Sequence, residues 1–94
     1  MTKNKELLRK DIGSFLKKAR KNQSLTGHQL GKLMQVSQQQ ISRYERGETG
    51  INIETLDIML DILGKSWSDF FFSVMINYSD EIADVKIQER NHFL

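Results

Sequence analysis

Residues 25–48 read LTGHQLGKLMQVSQQQISRYERGE, and this stretch decides the fold. It contains two short runs with helical apolar spacing, each opened by a hydroxyl residue. Thr26 and Gln29 form the pattern T-x-x-Q. In such a box the hydroxyl accepts from the N–H three residues on, and the glutamine amide oxygen accepts from the cap's own N–H. Ser37 and Gln40 repeat the device. Leu25 with Leu30, and Val36 with Ile41, have the spacing of hydrophobic staples across each cap. One helix is therefore predicted from the Thr26 cap to about Met34. The next runs to Arg46, where Gly47 stops it.

The same signals extend outward. Leu8, Ile12, Phe15, Leu16 and Ala19 form one stripe of a helix predicted over about Lys5 to Lys21. A fourth helix starts at Asn52, with Ile51 and Leu56 as its staple and Ile53, Leu56, Met59, Leu60 and Leu63 as its apolar stripe. Gly64 ends it. A fifth starts at Ser66, and spacing assigns its Trp67, Phe70 and Phe71 to the core. Beyond Phe71, "FFFSVMI" is apolar on every side and fits a buried helix or a strand. The expectation is an all-α fold of five helices.

Two boxed helices with caps eleven residues apart, joined by "QVS", have the helix-turn-helix arrangement. The second helix of such a pair can enter a major groove. Gly31 would let the two helices approach closely. On the second helix Ile41 and Tyr44 face inward by spacing. Gln38, Gln39, Ser42, Arg43 and Arg46 are left outside. An amide can pair with adenine N6/N7 and a guanidinium with guanine O6/N7, so Gln38, Gln39 and Arg43 are the candidate base readers. Gln40 is expected to spend its side chain on the Ser37 cap.

The bulk numbers narrow the function classes. The 94 residues suit one domain with a short appendage, expected to divide as residues 1–72 and 73–94. There is no cysteine, which removes disulfides and thiolate metal sites. His28 and His92 stand far apart without ligand spacing, so no metal and no cofactor is expected. No nucleophile–base pair or phosphate-cradling glycine loop is present, and an enzyme is not expected. With no secretion signal or spanning stretch, the expected location is the bacterial cytoplasm, at the nucleoid. Residues 1–47 carry eleven Lys/Arg against three acids, whereas residues 48–94 carry three against nine. A basic half suits a polyanion, although lysine-rich helices also serve solubility. Lys17 is among the candidate phosphate contacts, with Lys3, Lys5, Arg9, Lys10, Lys18, Lys21 and Lys32 behind it.

Over roughly Ile12 to Phe71 the chain resembles the Cro/C1-type (XRE-like) helix-turn-helix regulators, on Gly31, Val36-Ser37 and "ISRYERGE" at 41–48. The resemblance implies a lambda-repressor-like five-helix DNA-binding domain. It implies base contacts from Gln38, Gln39 and Arg43, and backbone contacts from Ser37, Ser42 and the Arg46–Asn52 loop. It also implies a buried ion pair between Arg20 and Glu45. One position departs: such regulators usually carry a phosphate-binding glutamine where this chain has Gly27. The Gly27 N–H, His28 or Gln29 would have to serve instead. "SQQQISRYERGE" and "INIETL" are also similar to small regulators encoded beside fimbrial operons of enteric bacteria, which repress motility genes.

The C-terminal stretch has more apolar residues than such a core requires. Phe72, Val74, Met75, Ile76 and Tyr78 are expected to form a homodimer face, the alternative being a tail folded over its own domain. The expected function is a dimeric, sequence-specific regulator of double-stranded DNA, with repression the expected direction. An antitoxin that also masks a toxin, and an interaction module that has lost DNA binding, are the rival readings.

Overall fold

The computed structural model describes residues 2–76, with side chains from residue 5 onward. They form five helices and, among the described residues, no strand: α1 (Thr2–Asn22), α2 (Gly27–Met34), α3 (Gln38–Arg46), α4 (Ile53–Ile62) and α5 (residues 67–76).

Local chemistry sets the boundaries. Thr26 Oγ1 accepts from Gln29 N–H at 3.0 Å, and Gln29 Oε1 accepts from Thr26 N–H at 2.8 Å, so the first box is complete. Asn52 caps α4 through Thr55 N–H at 2.8 Å. At the start of α5, Ser66 N–H donates to Asp69 Oδ2 and Asp69 N–H donates to Ser66 Oγ, each at 3.0 Å, and the Ser66 N–H, with its hydroxyl, holds the Asp69 carboxyl below its ordinary pKa. Gly47 closes α3 at φ +70°, a left-handed conformation that favours glycine.

The second box differs from expectation. Ser37 Oγ accepts from Gln40 N–H at 3.0 Å, but the Gln40 side chain returns no bond to the Ser37 N–H. Gln29 of the first box is exposed, whereas Gln40 lies on a side of α3 that turns partly into the domain. Gln40 is half-buried, and its amide is not committed to the cap.

The core joins α1 (Leu16, Ala19), α2 (Leu30), α3 (Ile41), α4 (Leu56, Met59, Leu60) and the following Leu63 to α5 (Phe70, Val74). Phe70 meets Phe15 and Trp67 edge-on, with ring centroids 5.5 and 5.7 Å apart. Gln23 Nε2 donates to the Leu63 carbonyl at 3.1 Å, tying the end of α1 to the end of α4. Asp57 accepts from Trp67 Nε1 at 2.8 Å, which gives one carboxylate of the outer face of α4 a structural partner.

Three apolar assignments change. Ile53 is 74% exposed rather than core. It opens α4, and its Cβ leans toward the helix N-terminus, off the end of the packed face. Phe71 is 55% exposed, because the buried stripe of α5 runs Trp67, Phe70, Val74 at helical spacing and Phe71 lies beside it. Val74, expected in the dimer face, is 2% exposed and belongs to the core. The helix runs through the expected 72/73 boundary without a break.

Candidate nucleic-acid interface

The inner face of α3 is fixed by Ile41, which is fully buried, and by Tyr44, which packs against the core. Since α3 has 3.6 residues per turn, burying that face presents two outer rows. One carries Gln39 and Arg43, the other Gln38, Ser42 and Arg46. Gln38, Gln39, Arg43 and Arg46 are exposed, and Ser42 is half-buried.

Several contacts aim this helix. Gly31 is buried where α2 meets the turn: a Cβ there would stand 2.7 Å from the Val36 carbonyl oxygen. Val36 N–H in turn donates to the Gly31 carbonyl at 2.9 Å. Gly13 of α1 plays the same part on the other side. A Cβ at Gly13 would stand 2.5 Å from the Tyr44 carbonyl oxygen and 2.7 Å from the Glu45 carbonyl carbon. No motif flags Gly13; its one signal in the sequence is a glycine inside a long helix, where it costs about 1 kcal/mol relative to alanine.

Between these close approaches sits the Arg20–Glu45 pair. Arg20 Nε donates to Glu45 Oε2 at 2.6 Å and Nη2 to Oε1 at 3.0 Å. Nη1 donates to the Leu25 carbonyl at 2.7 Å. Their side chains are 12% and 8% exposed. The bond to Glu45 raises the Arg20 pKa, so the guanidinium stays charged. One side chain thus joins α1, the entry to α2, and α3. These two charges are structural and leave the outer rows of α3 untouched.

The backbone-contact candidates fall at three places. Gly27 opens α2 beside α3: a Cβ on it would stand 3.7 Å from Gln38 Cγ. His28 is exposed next to it. The start of α2 and the first side chain of α3 therefore lie together, and a helix start presents free N–H groups. Ser37 and Asn52 each accept a backbone N–H in a cap, so their side-chain oxygens already have one partner. Arg46 is the candidate whose surroundings the sequence does not show. Its Nη1 donates to Ser42 Oγ at 2.6 Å and its Nε to the Glu48 carboxylate. Lys17 is exposed on α1. Tyr78, assigned to the dimer face, lies outside the described residues.

Residues 16–70, more than half of the chain, match the family described as Helix-turn-helix (HTH_3). The chain belongs to the helix-turn-helix family. That family membership makes it a DNA-binding protein of the transcription-regulator class. The fold is similar to a crystal structure of the clp gene regulator ClgR from Corynebacterium glutamicum. That likeness has TM-score 0.72 and 23% identity, and covers 92% of each chain. A second ClgR crystal structure from the same organism is similar at TM-score 0.69 and 27% identity, covering 74% of this chain and 91% of that one. No curated protein matches the chain. Among the described residues, no cluster of His, Cys, Asp and Glu could hold a metal, and no helix is long and apolar enough to cross a membrane.

Proposed function

We propose that this helix-turn-helix protein is a sequence-specific regulator that reads the major groove of double-stranded DNA through α3 as a homodimer. The observation that carries the reading is the outer face of α3. Gln38, Gln39 and Arg43 stand exposed on a helix held from behind by Gly13, Gly31 and the Arg20–Glu45 pair. Amide and guanidinium are the side chains that read adenine and guanine edges, each good bidentate pair discriminating by about 1–3 kcal/mol. Phosphate contacts from Lys17, His28, Ser37, Ser42, Arg46, Asn52 and the Gly27 N–H would set register rather than sequence. Repression, and motility or fimbrial genes as targets, rest on the likeness of residues 37–56 to fimbria-linked regulators.

Mobility-shift titrations test the readout. Arg43→Ala should flatten discrimination between cognate and scrambled duplexes by roughly tenfold or more. Lys17→Ala should weaken both complexes alike and reduce the salt dependence by about one counterion. Cognate binding at wild-type strength by both Gln38→Ala and Arg43→Ala would end this proposal.

The dimer rests on α5. Phe72 is 74% exposed, and Phe71 and Ile76 are exposed beside it, while Met75 is partly covered. Such a patch on a small domain favours a partner, and a two-fold partner would place two α3 helices on paired half-sites. Sedimentation over a concentration series should show a dimer that Phe72→Asp dissociates. A wild-type chain that stays monomeric at every concentration excludes it. The same patch is what an antitoxin would offer a toxin, and a stoichiometric second protein co-purifying from the native host would favour that rival.

A further inference from the structure

We infer that Arg9, on α1, is a DNA-backbone contact acting from beside the loop between α3 and α4; the inference rests on the DNA-binding reading above. In the sequence Arg9 is one of several equivalent basic residues near the N-terminus. The fold separates it from the others. α1 crosses the C-terminal end of α3 backbone against backbone: a Cβ on Gly47 would stand 2.8 Å from the N and Cα of Lys10 and 2.9 Å from the carbonyl carbon of Arg9. The Arg9 side chain then reaches the following loop. A Cβ on Gly50 would stand 3.2 Å from Arg9 Nη2, 3.4 Å from Nε and 3.7 Å from Cζ. The guanidinium therefore lies beside the Gly50 backbone, between the end of α3 and the Asn52 cap of α4.

Charge gives this position its meaning. The loop's own cation, Arg46, is matched by Glu48, so the two contribute no net charge there. Among the described residues no acid pairs with Arg9. Among the described residues, Arg9 is thus a cation without an acidic partner whose guanidinium lies at the loop that follows α3. A guanidinium is suited to the task, because its planar fork of N–H donors matches two phosphate oxygens at once. An exposed ion pair such as Arg46–Glu48 is itself weak, and the cation that needs no pair broken meets the phosphate first. A competing account has Arg9 merely complementing the C-terminal dipole of α3. That account moves stability and leaves the salt dependence of DNA binding alone.

The test uses the full chain and a mixed-sequence DNA duplex several turns long, since a phosphate contact does not depend on sequence. Binding is measured by fluorescence anisotropy over a series of salt concentrations, and each variant is melted in parallel. Arg9→Ala should reduce the slope of log K against log salt by about one and weaken binding about tenfold at low salt. Arg9→Lys, which keeps the charge, should retain the wild-type slope. Lys65→Ala, in the connection between α4 and α5, should leave slope and affinity unchanged. An Arg9→Ala slope equal to wild type, with or without a lower melting temperature, overturns the inference. Failure of the wild-type chain to bind the duplex at all overturns the DNA-binding reading instead.

Discussion

Glu45→Ala should lower the unfolding free energy by about 3–5 kcal/mol, because it strands the Arg20 guanidinium in a largely buried site. Two of the three bonds that guanidinium makes would be lost, and only the one to the Leu25 carbonyl would remain. Native domains have about 5–15 kcal/mol in total, so the loss should be a large fraction of the stability. The cost belongs to the orphaned charge rather than to the pair. Replacing both partners with apolar residues, as in Arg20→Met with Glu45→Leu, should therefore recover most of the loss. Urea denaturation of the two single variants and the double variant measures this. A Glu45→Ala midpoint within the error of wild type would mean that the Arg20 charge is not stranded when its partner is removed.

Gly13→Ala should also destabilise, against its intrinsic preference. In an exposed helix the change would stabilise by about 1 kcal/mol. Here the new methyl meets the Tyr44 and Glu45 carbonyls. These are backbone atoms of another helix and cannot rotate aside, so the overpacking cost should lie at or above the upper end of the usual ~1–3 kcal/mol. The expected net loss is about 2 kcal/mol. Because the relief available is to push α3 away from α1, cognate DNA affinity should fall as well. Thermal melting and a mobility shift on the same variant check both parts. A Gly13→Ala protein more stable than wild type would show that α1 and α3 are not in backbone contact.

Gly27→Ala provides the contrast, since its methyl would stand 3.7 Å from Gln38 Cγ, an ordinary contact. Two glycines in one short chain thus differ in what surrounds them, and nothing in their neighbours along the chain says so. The same division holds elsewhere. Thr26, Ser37, Asn52 and Ser66 are legible as caps because a cap is a bond to a residue three positions away. Gly47 is legible as a stop for the same reason. Leu16, Leu30, Ile41, Met59 and Leu60 are legible as core because a helix that must bury one face repeats its apolar residues at the helical period. With the caps placed and the inner face of α3 assigned, the exposure of Gln38, Gln39 and Arg43 follows by elimination.

What lies beyond that range depends on which element arrives from elsewhere in the chain. Arg20 and Glu45 are 25 positions apart, and resemblance to a family, not spacing, joins them on the page of the sequence. Gln40, unlike the exposed Gln29 of the completed box, is half-buried, and that difference comes with the packing of α3. Whether Phe71 or Val74 is buried depends on where α5 meets Phe15, and the apolar run "FFFSVMI" has no periodicity with which to choose. Arg9 becomes distinct from its neighbouring cations only because α1 crosses the end of α3 at Gly47. The run of glutamines at 38–40 shows both limits at once. Helical geometry along the chain separates Gln38 and Gln39, which face out, from Gln40, which turns partly in. Whether the Gln40 amide closes the cap cannot be read from a hydroxyl-x-x-Q pattern that Thr26 and Gln29 share and complete; the tertiary structure decides it, because Gln40 is half-buried where Gln29 is exposed.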